Sequence, residues 1–186
     1  IVHVVRCFED SNVVHVDGNV NPIRDIETIN LELIFSDMEM LERRLAKSQK
    51  AAKSDKTLAA EVDLIKTVLD TLESGKSART LDLSDDEKAI VKSFNLLSSK
   101  PIIYVANVSE QEVADDAKDN PYVKQVREFA QTEDAEVVVV SAKIEEEISQ
   151  FDKEEKIEFL KDMGLDKSGL DKLIQASYKL LGLISF

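Results

Sequence analysis

The sequence predicts an α/β fold, a parallel sheet carrying an inserted antiparallel coiled-coil hairpin of α-helices, and two observations carry that expectation. Ile102-Ile103-Tyr104-Val105 and Val137 to Val140 are β-branched or aromatic without alternation, the pattern of strands covered on both faces, and a helix-forming stretch separates them. Ahead of them Ile34, Met38, Leu41 and Leu45, then Leu58, Val62, Ile65, Leu69 and Leu72, recur at alternating steps of four and three residues, the period of a coiled-coil seam.

In chain order, Ile1 to Val5 reads as a first strand, and Val13 to Val16 and Val20 flank Asp17-Gly18, a turn dipeptide because Gly accepts positive φ. Asn21-Pro22 reads as an N-cap followed by Pro at the first helical position, where its missing N–H costs nothing. Between the two seams Lys47 to Asp55 has room only for a reversal, so the helices pack antiparallel. Ser84 with Glu87 is a capping box for a third helix running to about Leu97. Asn120-Pro121 starts a helix that turns Val123, Val126 and Ala130 to the sheet, which makes strand, helix and strand a parallel unit. Ile144 and Ile148 belong to the next helix, Ile157 and Leu160 to another that Gly164 stops, and Leu170, Leu173, Ile174 and Leu181 give the last helix, ahead of Gly182, its apolar face. The expected organisation is an α/β layer over 1–25 and 98–186, interrupted by a helical insertion over 26–97.

The 186 residues are 43% hydrophobic, enough for a sizeable core. No apolar run approaches the roughly 20 residues of a membrane helix, and no signal peptide is recognisable, so a cytoplasmic protein with no membrane partner is expected. Cys7 is the single cysteine and can have no disulfide partner within the chain. His3 and His15 lack partners at metal-ligand spacing and read as structural. A net charge of −13 argues against nucleic-acid binding by the whole surface. Locally the sign reverses: Arg43, Arg44, Lys47, Lys50, Lys53 and Lys56 face one acid, Asp55, around the hairpin tip. A solvated helix turn and a contact to a nucleic-acid phosphate backbone both fit that run. Gly75-Lys76-Ser77 resembles the end of a phosphate-binding loop but is rejected, because the motif's first Gly would fall on Asp70 and a helix precedes it.

The functional expectation rests on two strand ends. In open α/β sheets ligands bind outside the carboxyl ends of the strands. One strand ends in Asn107-Val108-Ser109-Glu110, and the next, one crossover later, ends in Ser141-Ala142-Lys143. That order resembles the base-binding half of a P-loop GTPase-like domain. The departures, Val108 and Glu110 where such proteins carry Lys and Asp, together with the insertion, Ile1 to Asp10, His15 to Gly18, Pro22 to Ile26, Leu81 to Lys88 and Gly169 to Leu183, resemble the YchF/Obg-like ATPase family over essentially the whole chain.

The resemblance implies ATP as ligand with GTP weaker, Mg²⁺ as cofactor and the ribosome as partner. It implies that Asn107 hydrogen-bonds the base, that Val108 touches it through backbone and side chain, and that Ser141 and Ala142 close the pocket. Glu110 and Lys143 are candidate pocket neighbours, a solvent-facing or stacking side chain and a ligand contact both fitting Lys143, and Glu110 is expected not to make the guanine contact of the Asp it replaces. The family's phosphate loop, Mg²⁺ ligand and catalytic residues would precede this chain and a TGS domain would follow it. The chain is therefore expected to be a piece of a longer ATPase, inactive alone. A coiled-coil interaction module without nucleotide function is the alternative.

Overall fold

A computed structural model describes residues 1–10, 19–55 and 58–183. The Asp17-Gly18 turn, His15, Lys56 and the last three residues lie outside the described residues. The chain divides into two compact units, one formed by 1–26 and 101–186, the other by 27–100.

In the first unit β1 (Val2–Arg6), β2 (Ile103–Asn107) and β3 (Glu136–Val140) form a parallel sheet in the order β1-β2-β3. β2 is central and buried from Ile103 to Ala106, which is why its sequence shows no alternation. One face packs Val5, Tyr104, Ala106 and Val139 against Val123, Val126 and Ala130 of α4 (Pro121–Thr132), as their spacing predicts. The Tyr104 hydroxyl donates to Glu133 at 2.7 Å, so the buried ring keeps its polar end satisfied. The other face packs Ile103, Val105, Val138 and Val140 against Ala176 and Leu173 of α7 (Gly169–Leu180). Of the apolar face expected on α7, Leu173 is partly buried, whereas Leu170, Ile174 and the following Leu181 are exposed. Periodicity marks a stripe but not how much of it a three-stranded sheet can cover. α5 (Ala142–Ile148) buries Ile144 and Ile148; α6 (Lys153–Asp162) buries Leu160 while Ile157 stays exposed.

The second unit contains most of α1 (Pro22–Ala52), then α2 (Ala59–Glu73), a 3-10 turn (Ala78–Thr80) and α3 (Asp85–Phe94). Asn21 caps α1, accepting from the Arg24 N–H at 3.1 Å. The helix runs to Ala52, into the segment expected to reverse, because nothing from Lys47 to Ala52 is a Gly or Pro that would stop it. Ile34 and Leu41 are buried with Ile65, Leu69 and Leu72, and Met38 and Leu45 pack beside them; Val62 of the second seam is also buried. Val91, Phe94 and Leu96 share that core, so the seams pack within a three-helix cluster rather than on each other alone. The Ser84 and Glu87 capping box is present, and α3 stops at Phe94 with Asn95 in the left-handed region, three residues before the expected end. Buried Asp37 accepts from the Leu97 and Ser98 N–H groups at 2.8 and 2.7 Å.

Candidate functional site

Asn107 is the last residue of β2 and pairs in register with Val140 of β3. Backbone bonds carry the ladder past the strand ends: Cys7 N–H donates to the Asn107 carbonyl at 2.8 Å, and Val108 N–H to the Val140 carbonyl at 2.9 Å. With both loops so anchored, the Asn107 Oδ1 accepts from the Ala142 N–H at 2.9 Å. The sheet thus brings the two sequence-predicted strand ends into direct contact. Between them Ser141 is 2% exposed and its hydroxyl has no hydrogen-bond partner among the described residues, although it is the N-cap of α5. An orphaned buried hydroxyl costs about 1–3 kcal/mol and calls for a partner or a function.

Val108 differs from expectation. Its side chain is 2% exposed and packs in the core beneath the sheet, while its N–H is taken by the Val140 carbonyl. The cause is the strand period of two, which puts Val108 on the same face as Tyr104 and Ala106 and leaves Asn107 on the other. At the rim Lys143 Nζ donates to Glu110 Oε2 at 2.9 Å. That hydrogen bond, and then the Glu110 charge, hold the Lys143 ammonium above its ordinary pKa. A cavity of about 280 Å³, mostly apolar, opens beside Asn107, Ala142, Glu145, Gly169 and Leu170.

Sequence reasoning missed the supports of both loops. Asn120 was legible as a cap and does accept from the Tyr122 and Val123 N–H groups. Its amide also donates to the Cys7 carbonyl at 2.8 Å and to Glu112 at 2.9 Å, and Glu112 in turn accepts from Ser109 at 2.6 Å. This chain ties the Asn107 loop to the end of β1. Burial, then the charges of Glu112 and Asp25, push the Cys7 thiol up to about 12, so it is an inert core group. On the other loop Glu145 accepts from the Gly169 and Leu170 N–H groups at 2.6 and 3.3 Å, fixing the start of α7 against α5. The only sequence signal for that clamp was a Gly at a helix start.

No family model matches the chain. It is 51% identical, over its whole length, to the ribosome-binding ATPase YchF of Bacillus subtilis and 45% identical to that of Escherichia coli O157:H7. The chain belongs to the YchF family. It spans about half the length of those relatives, 51% and 50%. Among solved structures it is similar to the Schizosaccharomyces pombe YchF GTPase, with a TM-score of 0.82 and 32% identity over 97% of this chain and 49% of that one. Its α/β fold is therefore the YchF GTPase fold over the matched part.

The remaining residues singled out in this YchF-family chain lie in the helical unit. Arg44 pairs with Glu61 at 3.0 Å and lies over the Phe94 ring at 4.5 Å. Arg43 pairs with Glu39 at 3.3 Å. Lys47, Lys50 and Lys53 are exposed and make no hydrogen bond or ion pair among the described residues. Gly75 terminates α2 with φ +79°, so Gly75-Lys76-Ser77 is helix-end chemistry. Among the described residues no helix is long and apolar enough to cross a membrane, and no three His, Cys, Asp or Glu side chains group as metal ligands.

Proposed function

We propose that this chain supplies base recognition and a partner-binding helical hairpin to an ATP-binding, ATP-hydrolysing and ribosome-associated protein of the YchF type. Residues 1–25 and 98–186 are its nucleotide-domain segments and 26–97 its helical insertion. The observation that carries the reading is the meeting of Asn107 with the Ala142 amide beside the unpartnered Ser141 hydroxyl. These groups suit a purine ring: the Asn107 carboxamide offers its Nδ2 donors and a remaining oxygen lone pair to the edge, the Ser141 hydroxyl lies beside it, and the apolar cavity wall suits the face. They do not suit triphosphate or Mg²⁺, since no Gly-rich phosphate loop occurs in the sequence and no ligand cluster forms among the described residues. ATP thus belongs here through its base, and these residues are assigned no part in holding Mg²⁺.

In the protein at its full natural length, Asn107→Ala weakens ATP and ADP binding about tenfold, the worth of a buried hydrogen-bonded contact. Calorimetric titration measures this, and an unchanged affinity overturns the base site. For the hairpin, Lys47→Glu, Lys50→Glu and Lys53→Glu together lower ribosome co-sedimentation about tenfold at moderate salt and flatten its salt dependence, because three phosphate-facing charges reverse sign. Unaltered co-sedimentation removes the tip from the ribosome contact.

A further inference from the structure

Glu110 stands three residues beyond Asn107, and Lys143 one residue beyond Ala142, so their ion pair bridges the two loops that form the base site. Lys143 also feels Glu147 and Asp10, yet its hydrogen bond is to Glu110. A carboxylate beside a purine is not neutral toward base identity. Guanine presents N1–H and a 2-amino group, both donors, whereas adenine presents an acceptor at N1 and no polar group at C2. A free carboxylate there accepts both guanine donors and opposes the adenine N1 lone pair. A carboxylate bonded to an ammonium has one oxygen engaged and its charge balanced.

We propose that Lys143 is a positioning residue that sets base choice: by holding Glu110 in an ion pair across the mouth of the site, it withdraws that carboxylate from the N1 and C2 edge and leaves 6-aminopurines preferred over 2-amino-6-oxopurines. The inference rests on the base-site reading above. Side chains of 72% and 38% exposure place the pair at the rim, where it contributes little to the fold, so its removal changes recognition without unfolding the chain.

The test is the ratio of GDP to ADP dissociation constants, read by calorimetry on the protein at its full natural length. Lys143→Met moves the ratio toward GDP by about threefold to fivefold, the scale of an exposed ion pair. Lys143→Arg keeps the wild-type ratio, because Arg can re-form the pair. The double variant Lys143→Met/Glu110→Ala returns the ratio to the wild-type value, because the released carboxylate is gone. IDP, which lacks the 2-amino donor, gains less than GDP in Lys143→Met. A ratio unchanged by Lys143→Met overturns the proposal, as does an equal loss of both affinities, which makes Lys143 a direct nucleotide contact. Asn107→Ala separates the two readings. If it weakens both nucleotides while Lys143→Met leaves the ratio fixed, the base site stands and the Lys143 role falls; if it weakens neither, both fall.

Discussion

Asp37→Ala lowers the stability of the helical unit by about 3–5 kcal/mol, the cost of leaving buried groups without a charged partner. Asp37 is 3% exposed, and its two carboxylate oxygens hold the Leu97 and Ser98 N–H groups of the segment that follows α3. The Ser98 hydroxyl accepts from the Ala78 N–H at 3.3 Å, and the Ser98 carbonyl from the Arg79 N–H at 3.0 Å, so the same segment orders the 3-10 turn. Alanine removes both acceptors from a position water does not reach. Asp37→Asn keeps one acceptor oxygen and should lose about half as much. Urea denaturation followed by circular dichroism measures both, and a loss below about 1 kcal/mol for Asp37→Ala contradicts the assignment.

Gly169→Ala destabilises the nucleotide-domain unit by about 2 kcal/mol through overpacking. A Cβ at Gly169 meets both γ-methyls of Val140 at 2.7 and 2.9 Å and the Glu145 carboxylate at 3.1 Å. Val140 is β-branched and 8% exposed, so turning one methyl away drives the other into the core. Glu145 cannot retreat without releasing the Gly169 and Leu170 N–H groups it caps. Because Val140 and Glu145 flank Ala142, the strain reaches the base site. Val140→Ala makes room for the new Cβ, so in the double variant the two losses sum to less than their separate values. Strict additivity, or a thermally silent Gly169→Ala, contradicts the close packing.

The layered sheet was legible because burial on two faces writes itself into composition: Ile102 to Val105 and Val137 to Val140 have no polar alternation to hide. The pairing of Asn107 with the Ser141 and Ala142 loop was legible as two polar strand ends one crossover apart. What escaped was set by side-chain direction and by tertiary partners. Spacing did not say that Val108 faces the core, although counting by twos from Tyr104 does. Asp37 sits on the apolar stripe of α1, three residues after Ile34 and four before Leu41; counting hydrophobic positions passes over the one acid whose partners lie 60 and 61 residues away. The end of α1 falls later than expected because the gap between the two apolar seams was read as the reversal, whereas Lys47 to Ala52 has sound helix propensity and continues the helix.

The central claim, that the purine base sits where β2 and β3 end, is tested most directly by a crystal structure of the protein at its full natural length with ADP bound. In that structure the adenine edge lies within hydrogen-bond distance of the Asn107 carboxamide and the 141–142 backbone, with Val108 still in the core and Glu110 still on Lys143. An adenine ring bound elsewhere, with the Asn107 to Ala142 hydrogen bond intact and remote from it, would contradict the claim.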